Sequence, residues 1–152
     1  MMSTQQFKSA LVKSGTGAHV VIPFDPDEVW GAKAQHYVAG SIAGHHFRGC
    51  IDSGGTPCIL PIGAAWLRDN DVGDGVNIEV TLAPDGHQIE TIAADIAAAL
   101  VAEPQARAFF ESVAPFYRNN YIRWIESAKR PETRSGRIAE MVKSLKAGEK
   151  RL

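Results

Sequence analysis

Two spacings of apolar residues divide this chain of 152 residues. Up to about residue 93, short runs alternate apolar and polar positions, the period of a strand with one face in a core. Beyond it, apolar residues recur every third or fourth position, the period of a helix. Phe7 to Lys13 and Ala18 to Ile22 predict a hairpin around Gly15-Thr16-Gly17. Pro23 to Trp30 is a connection in which Asp25-Pro26 starts one helical turn. Gln35 to Ile42, Phe47 to Ile51 and Cys58 to Ile62 are further strands between glycine-rich turns. Val76, Ile78, Val80 and Leu82 share one face of the next strand, and a turn at Pro84-Asp85-Gly86 leads to a last strand near Gln88 to Ile92.

The helical pattern begins at Ala93. Asp95 lies at or near a helix start, and Ile96 to Val101 follow as good formers. A second helix opens at Glu103-Pro104, with Ala106, Phe109, Phe110 and Val113 as its apolar stripe. A third runs from about Pro115 to Lys129, and a fourth from about Pro131 to Ala147, where Gly148 supplies a left-handed cap. Tyr121, Trp124, Ile125 and Ala128 recur at helical spacing, as do Ile138, Met141, Val142 and Leu145. The expected fold class is α+β: a small N-terminal β-barrel over residues 1–93, then a C-terminal helical domain over 94–152. There is no internal repeat and no low-complexity tract.

Tyr121, Arg123, Trp124 and Ile125, then Ala128-Lys129-Arg130, Glu132-Thr133-Arg134, Arg137-Ile138 and Gly148, form an uninterrupted string. It resembles the C-terminal domain of the YdeI/OmpD-associated family, also called bacteriocin-protection or OmdA-like proteins. That family usually places a basic residue just before the second arginine of the Thr-Arg segment, where this chain has Gly136. Upstream, Ile59-Leu60-Pro61-Ile62, Trp66-Leu67-Arg68 and Val72-Gly73-Asp74-Gly75-Val76 run as strand, proline, short helix, Gly-Asp turn and strand. That order resembles the swapped-hairpin half of AbrB/MazE-like double-split barrels. The wider N-terminal part resembles the uncharacterised small β-barrel domain that commonly precedes the YdeI-like domain. Val21-Ile22-Pro23, Trp30-Gly31-Ala32, Gly40-Ser41-Ile42-Ala43-Gly44 and Gly73-Asp74 carry that likeness. The resemblance implies a non-catalytic accessory role in protection against bacteriocins or envelope stress, and supplies no mechanism.

Composition leaves an ordinary globular chain, 45% apolar and 22% charged. No apolar run approaches the roughly 18 residues that cross a bilayer. MMSTQQFKSALVKSG lacks an apolar signal core, so the expected location is the cytoplasm. Two cysteines, Cys50 and Cys58, give no disulfide framework and suit a reducing compartment. The net charge of −1 conceals an asymmetry. Residues 1–100 hold five basic and eleven acidic groups, a balance of −6, and residues 101–152 hold eleven and six, a balance of +5.

The basic groups gather at one junction. Lys129-Arg130-Pro131 closes the third helix, and Glu132-Thr133-Arg134 opens the fourth. A helix start offers open N–H groups and a positive dipole end, and Arg134 and Arg137 share one side of it. Arg123, Lys129, Arg130, Thr133, Arg134 and Arg137 are therefore the candidates for holding an anion or an acidic partner. The competing reading is an internal network in which Glu126, Glu132 or the acidic half supplies the counter-charges. Tyr121 and Trp124 read as core aromatics. Together with Arg48 they are also the candidate lining of a cleft between barrel and helices.

Other chemistry finds little support. His45 and His46 are adjacent on a strand and point to opposite faces, and His19, His36 and His87 are scattered. No Cys-x-x-Cys, nucleotide-binding fingerprint, Gly-x-Ser-x-Gly elbow or carboxylate pair is present. The expectation is no metal, no cofactor and no catalytic residue. The leading function is an accessory protein whose partner is an anionic small molecule or protein, in a chain that could homodimerise through its barrel. One alternative is a nucleic-acid-binding regulator of double-split-barrel type, opposed by the −6 balance of the barrel part. The other is a small-molecule enzyme or carrier using the cleft.

Overall fold

The computed structural model describes residues 4–72 and 77–150. It falls into two compact units: the chain up to Ala32 with His36–Asp85, and Lys33–Gln35 with the chain from Gly86 onward. The first is built of strands and the second of helices, so the chain is α+β.

In the β unit, alternation decides the strands. Strand β7 (Ile78–Pro84) buries Ile78, Val80 and Leu82 and turns Glu79 outward, as its period-two pattern requires. Its expected start at Val76, and the Gly73-Asp74 turn before it, lie outside the described residues. Around β7 are β1 (Gln5–Ser9), β4 (His36–Ile42) and β5 (His45–Ile51), in the antiparallel order β1-β7-β4-β5. A second sheet has the order β2-β3-β6, from Leu11–Ser14, Gly17–Val21 and Ile59–Ile62. The predicted hairpin is β2–β3, with Gly15 at φ +61° in its turn. Ala43 and Gly44, at φ +52° and +82°, make the two-residue turn between β4 and β5. Positive φ at both positions matches the right-handed twist of the strands it joins.

The two sheets meet on both sides. Strand β1 runs into β2 through Ala10, and a bridge between Asp52 and Ile59 ties β5 to β6 with N···O distances of 2.7 and 3.0 Å. Among the described residues the β unit is thus two antiparallel sheets, joined at this edge by one bridge and not by a ladder, where the sequence suggested a closed barrel. Val20, Ile22, Trp30, Val38, Leu60 and Leu82 lie in its core. Gly40 is opposite Leu82 on one side and Phe47 on the other. The helix α1 (Pro26–Trp30) supplies Trp30 to the core, and α2 (Ala64–Asp69) lays Trp66 edge-on to Phe47, centroids 5.4 Å apart. The Trp66 indole N–H donates to the His46 carbonyl at 2.9 Å.

The helical unit packs α3 (Ala94–Val101), α4 (Pro104–Ser112), α5 (Pro115–Glu126) and α6 (Pro131–Lys146) around Leu100, Phe110, Ile125, Met141 and Leu145. Proline opens α4, α5 and α6, where its missing N–H costs nothing. Gly148, at φ +75°, closes α6: its N–H donates to the Leu145 carbonyl at 3.0 Å, and that of Glu149 to Ser144 at 2.9 Å. The strand expected at Gln88 to Ile92 is a turn. The Thr91 and Ile92 amides both donate to the Gln88 carbonyl, at 2.9 and 3.1 Å, and the Gln88 amide donates to the Thr91 hydroxyl at 3.1 Å. A side-chain hydroxyl that closes the backbone locally removes the amide a ladder would need. No helix among the described residues is long and apolar enough to cross a membrane.

Candidate functional site

The junction between α5 and α6 sorts its cations into two groups. Arg134 and Arg137, on one side of α6, are held within the helical unit. Arg134 faces Asp95 of α3 as a fork, Nε to Oδ2 at 2.7 Å and Nη2 to Oδ1 at 3.0 Å. Its counter-charge is thus Asp95, and neither Glu126 nor Glu132 is its ion-pair partner among the described residues. The hydrogen bond from Arg134 holds the Asp95 carboxyl below the usual carboxylate range, and in return raises the guanidinium. Arg137 Nη1 donates to the Trp124 carbonyl at 2.7 Å and to the Ser127 hydroxyl at 2.9 Å. Its guanidinium carbon lies 5.3 Å from the Trp124 ring centroid. The Ser127 hydroxyl donates to the same Trp124 carbonyl at 2.7 Å, so the cation and the hydroxyl together serve the end of α5.

Arg123, Lys129 and Arg130 form the other group. All three are exposed, and none has an ion-pair partner among the described residues. Lys129 and Arg130 immediately precede α6, and no side chain caps the open amides of its first turn. Thr133 is half-buried in that turn. Tyr121 is core, 3% exposed, and its hydroxyl donates to the Glu149 carbonyl at 3.0 Å. Trp124 is half-buried against the same core. Arg48 belongs to the β unit, where Nε and Nη2 donate to the two Asp85 carboxylate oxygens at 2.9 and 3.0 Å.

Two charged groups of the helical unit fall outside the sequence-derived set of sites. Arg118 is 2% exposed, and it donates from Nε to the Val113 carbonyl at 3.1 Å and from Nη1 to the His87 carbonyl at 3.0 Å. A signal for it existed: Arg118, Tyr121, Ile122 and Ile125 share the buried stripe of α5. Lys33 donates to Gln88 Oε1 at 2.6 Å, and burial pulls its ammonium below the usual lysine range, against the opposing pull of Glu90 and Glu111. Nothing local marks Lys33, because Gln88 is 55 residues away. Among the described residues, no group of three His, Cys, Asp or Glu could hold a metal ion.

The Asp95–Arg134 pair has a consequence for acid stability. Asp95 titrates below its unfolded value, so the pair stabilises the fold above the unfolded carboxylate pKa. That contribution fades as pH falls through the folded pKa. Both side chains are partly exposed, 50% for Asp95 and 28% for Arg134, so about 0.5 to 1 kcal/mol is expected. Melting curves from neutral pH down to about pH 2 should show the difference between the parent and Arg134→Met closing as acid is added. A difference that stays constant with pH would count against the pair.

Two family models match the chain. One, described as bacteriocin-protection, YdeI or OmpD-associated, matches residues 91–148, and the other, a domain of unknown function (DUF1905), matches residues 7–82. No curated protein matches it.

Proposed function

Because the chain belongs to the DUF1905 family and carries a bacteriocin-protection, YdeI or OmpD-associated domain behind it, we propose that it is a non-catalytic accessory protein of bacteriocin protection. In this reading its helical unit holds an anionic small molecule or an acidic protein segment on a basic face. The observation that carries it is the exposure of Arg123, Lys129 and Arg130 without acidic partners, beside the uncapped start of α6. Cations that face water have no internal bond to give up when an anion arrives. Open amides at a helix start add donors and the positive end of the dipole. Arg134 and Arg137 then serve as the frame, since each is already committed to a partner within the unit.

That division sets the test. Arg134→Ala would remove a structural ion pair along with any ligand contact, so the informative change is Lys129→Glu with Arg130→Glu. Both residues are exposed, and the melting temperature should stay within a degree or so. Inorganic phosphate and a short polyglutamate peptide are the probes, titrated by calorimetry at low salt, where surface charges are least screened. The expected result is binding by the parent and a loss of tenfold or more in the double variant. Equal affinity in both proteins would defeat the reading. The opposite change is also predictive. Gly136 is exposed within α6, and a Cβ there meets nothing within 4 Å. Gly136→Arg should stabilise the helix by about 1 kcal/mol and tighten phosphate binding.

A further inference from the structure

Lys33 stands apart from the other lysines of the chain. Lys8, Lys13, Lys129, Lys143, Lys146 and Lys150 are all exposed, whereas Lys33 is half-buried in the helical unit. Its Nζ donates to Gln88 Oε1 at 2.6 Å. Gln88 is 6% exposed and is itself fixed: its amide donates to the Thr91 hydroxyl at 3.1 Å, and its Nε2 to the Gly86 carbonyl at 3.3 Å. Four charged groups act on the Lys33 ammonium. Arg107 and Arg118 repel it, and Glu90 and Glu111 attract it. Arg118 is tied to the residue before Gln88 through the His87 carbonyl, and Arg107 pairs with Glu111 at 3.3 Å. We propose that Lys33 is a site of covalent modification, a nucleophilic amine that takes an acyl group from a small acyl phosphate. This site is distinct from the basic face at the start of α6.

An ammonium cannot attack a carbonyl, so a lysine must shed its proton first. Burial takes water from the charged form, and neighbouring cations oppose it; both favour the free amine. Here burial outweighs the two carboxylates and holds Lys33 below the usual lysine range. The anchored Gln88 side chain keeps the nitrogen in one place, and the half of Lys33 that faces water admits a small reagent. In the reaction the Lys33 nitrogen bonds to the acyl carbon as the bond from that carbon to the phosphate oxygen breaks. Phosphate leaves with the bonding pair and takes up the proton that the nitrogen releases, so nothing is oxidised or reduced. The product suits its surroundings. An acylated lysine keeps one N–H, which can still serve Gln88, and loses its positive charge. Two guanidinium groups then face two carboxylates, a balanced set in place of one with a surplus cation.

Acetyl phosphate is the probe, applied to the full folded chain, with each lysine followed by mass spectrometry over time. Lys33 should be acetylated about fivefold faster than the exposed Lys129 near neutral pH. Its rate should also level off at a lower pH than that of a short lysine peptide. In urea, where the chain is unfolded, the advantage over Lys129 should vanish. Glu90 is exposed, so Glu90→Gln leaves the fold intact while it removes one of the two carboxylates that hold the proton on Lys33. This variant should speed Lys33 about twofold and leave Lys129 unchanged. Acetylation of Lys33 no faster than that of Lys129 overturns the proposal, as does a pH profile that follows the free peptide. An advantage that survives in urea also overturns it, because it would belong to the local sequence and not to the folded cluster.

Discussion

Gly40→Ala is expected to destabilise the β unit by about 3 kcal/mol or more, although it adds a single methyl group. Gly40 is at the centre of β4, paired with Leu82 of β7 and Phe47 of β5. A Cβ there would overlap the Thr81 carbonyl oxygen and come within 3.1 Å of the Leu82 Cα. These are backbone atoms of a paired strand, so neither can rotate away as a side chain would. Relief requires β7 to move off β4, which breaks the ladder that carries Ile78, Val80 and Leu82 into the core. Gly63→Ala is the control, since Gly63 has φ −73° and its Cβ would meet nothing within 4 Å. Urea unfolding should give a much lower midpoint for Gly40→Ala and an almost unchanged one for Gly63→Ala. A cost below about 1 kcal/mol at Gly40 would mean that β4 and β7 are further apart than described.

Arg118→Met is expected to cost about 3 kcal/mol through a different mechanism. Methionine fills much of the space of the arginine stem but donates no hydrogen bond. The Val113 and His87 carbonyls, which Arg118 serves at 3.1 and 3.0 Å, would each lose a donor. A buried acceptor left unmatched costs about 1 to 3 kcal/mol. Removing a buried guanidinium also relieves its own desolvation, which opposes the loss. Two carbonyls against one relieved charge leaves the balance on the destabilising side. Arg118→Lys should fall between, since an ammonium keeps the charge but lacks the planar fork that spans two acceptors. Thermal unfolding of the three proteins checks the order. A methionine variant as stable as the parent would show that water reaches both carbonyls.

Much of the architecture was legible because it depends on neighbours in sequence. The alternation of Ile78, Val80 and Leu82, the prolines that open α4, α5 and α6, and the left-handed Gly148 are all local signals, and each appears where it was expected. The segment from Gln88 to Ile92, expected as a strand, is a turn, because one threonine hydroxyl takes the Gln88 amide. At the candidate site, the cluster of cations was readable, but its division was not. Whether an arginine faces water or Asp95 depends on a pairing 39 residues apart, which no periodicity encodes. Arg118 is of a residue type that usually faces water, yet it lies on the buried stripe of α5.

Lys33–Gln35 has a practical meaning for anyone who would dissect or recombine this protein. These three residues lie within the stretch matched by DUF1905 yet belong to the helical unit, where Lys33 reaches the buried Gln88. Sequence modules and physical modules therefore do not coincide. A helical fragment excised at Gly86 would lose the Lys33 ammonium from the side chain of Gln88. The same helices transplanted behind another domain would need a replacement donor. Recombination at the apparent boundary carries a hidden compatibility requirement, one that favours inheriting the two halves together.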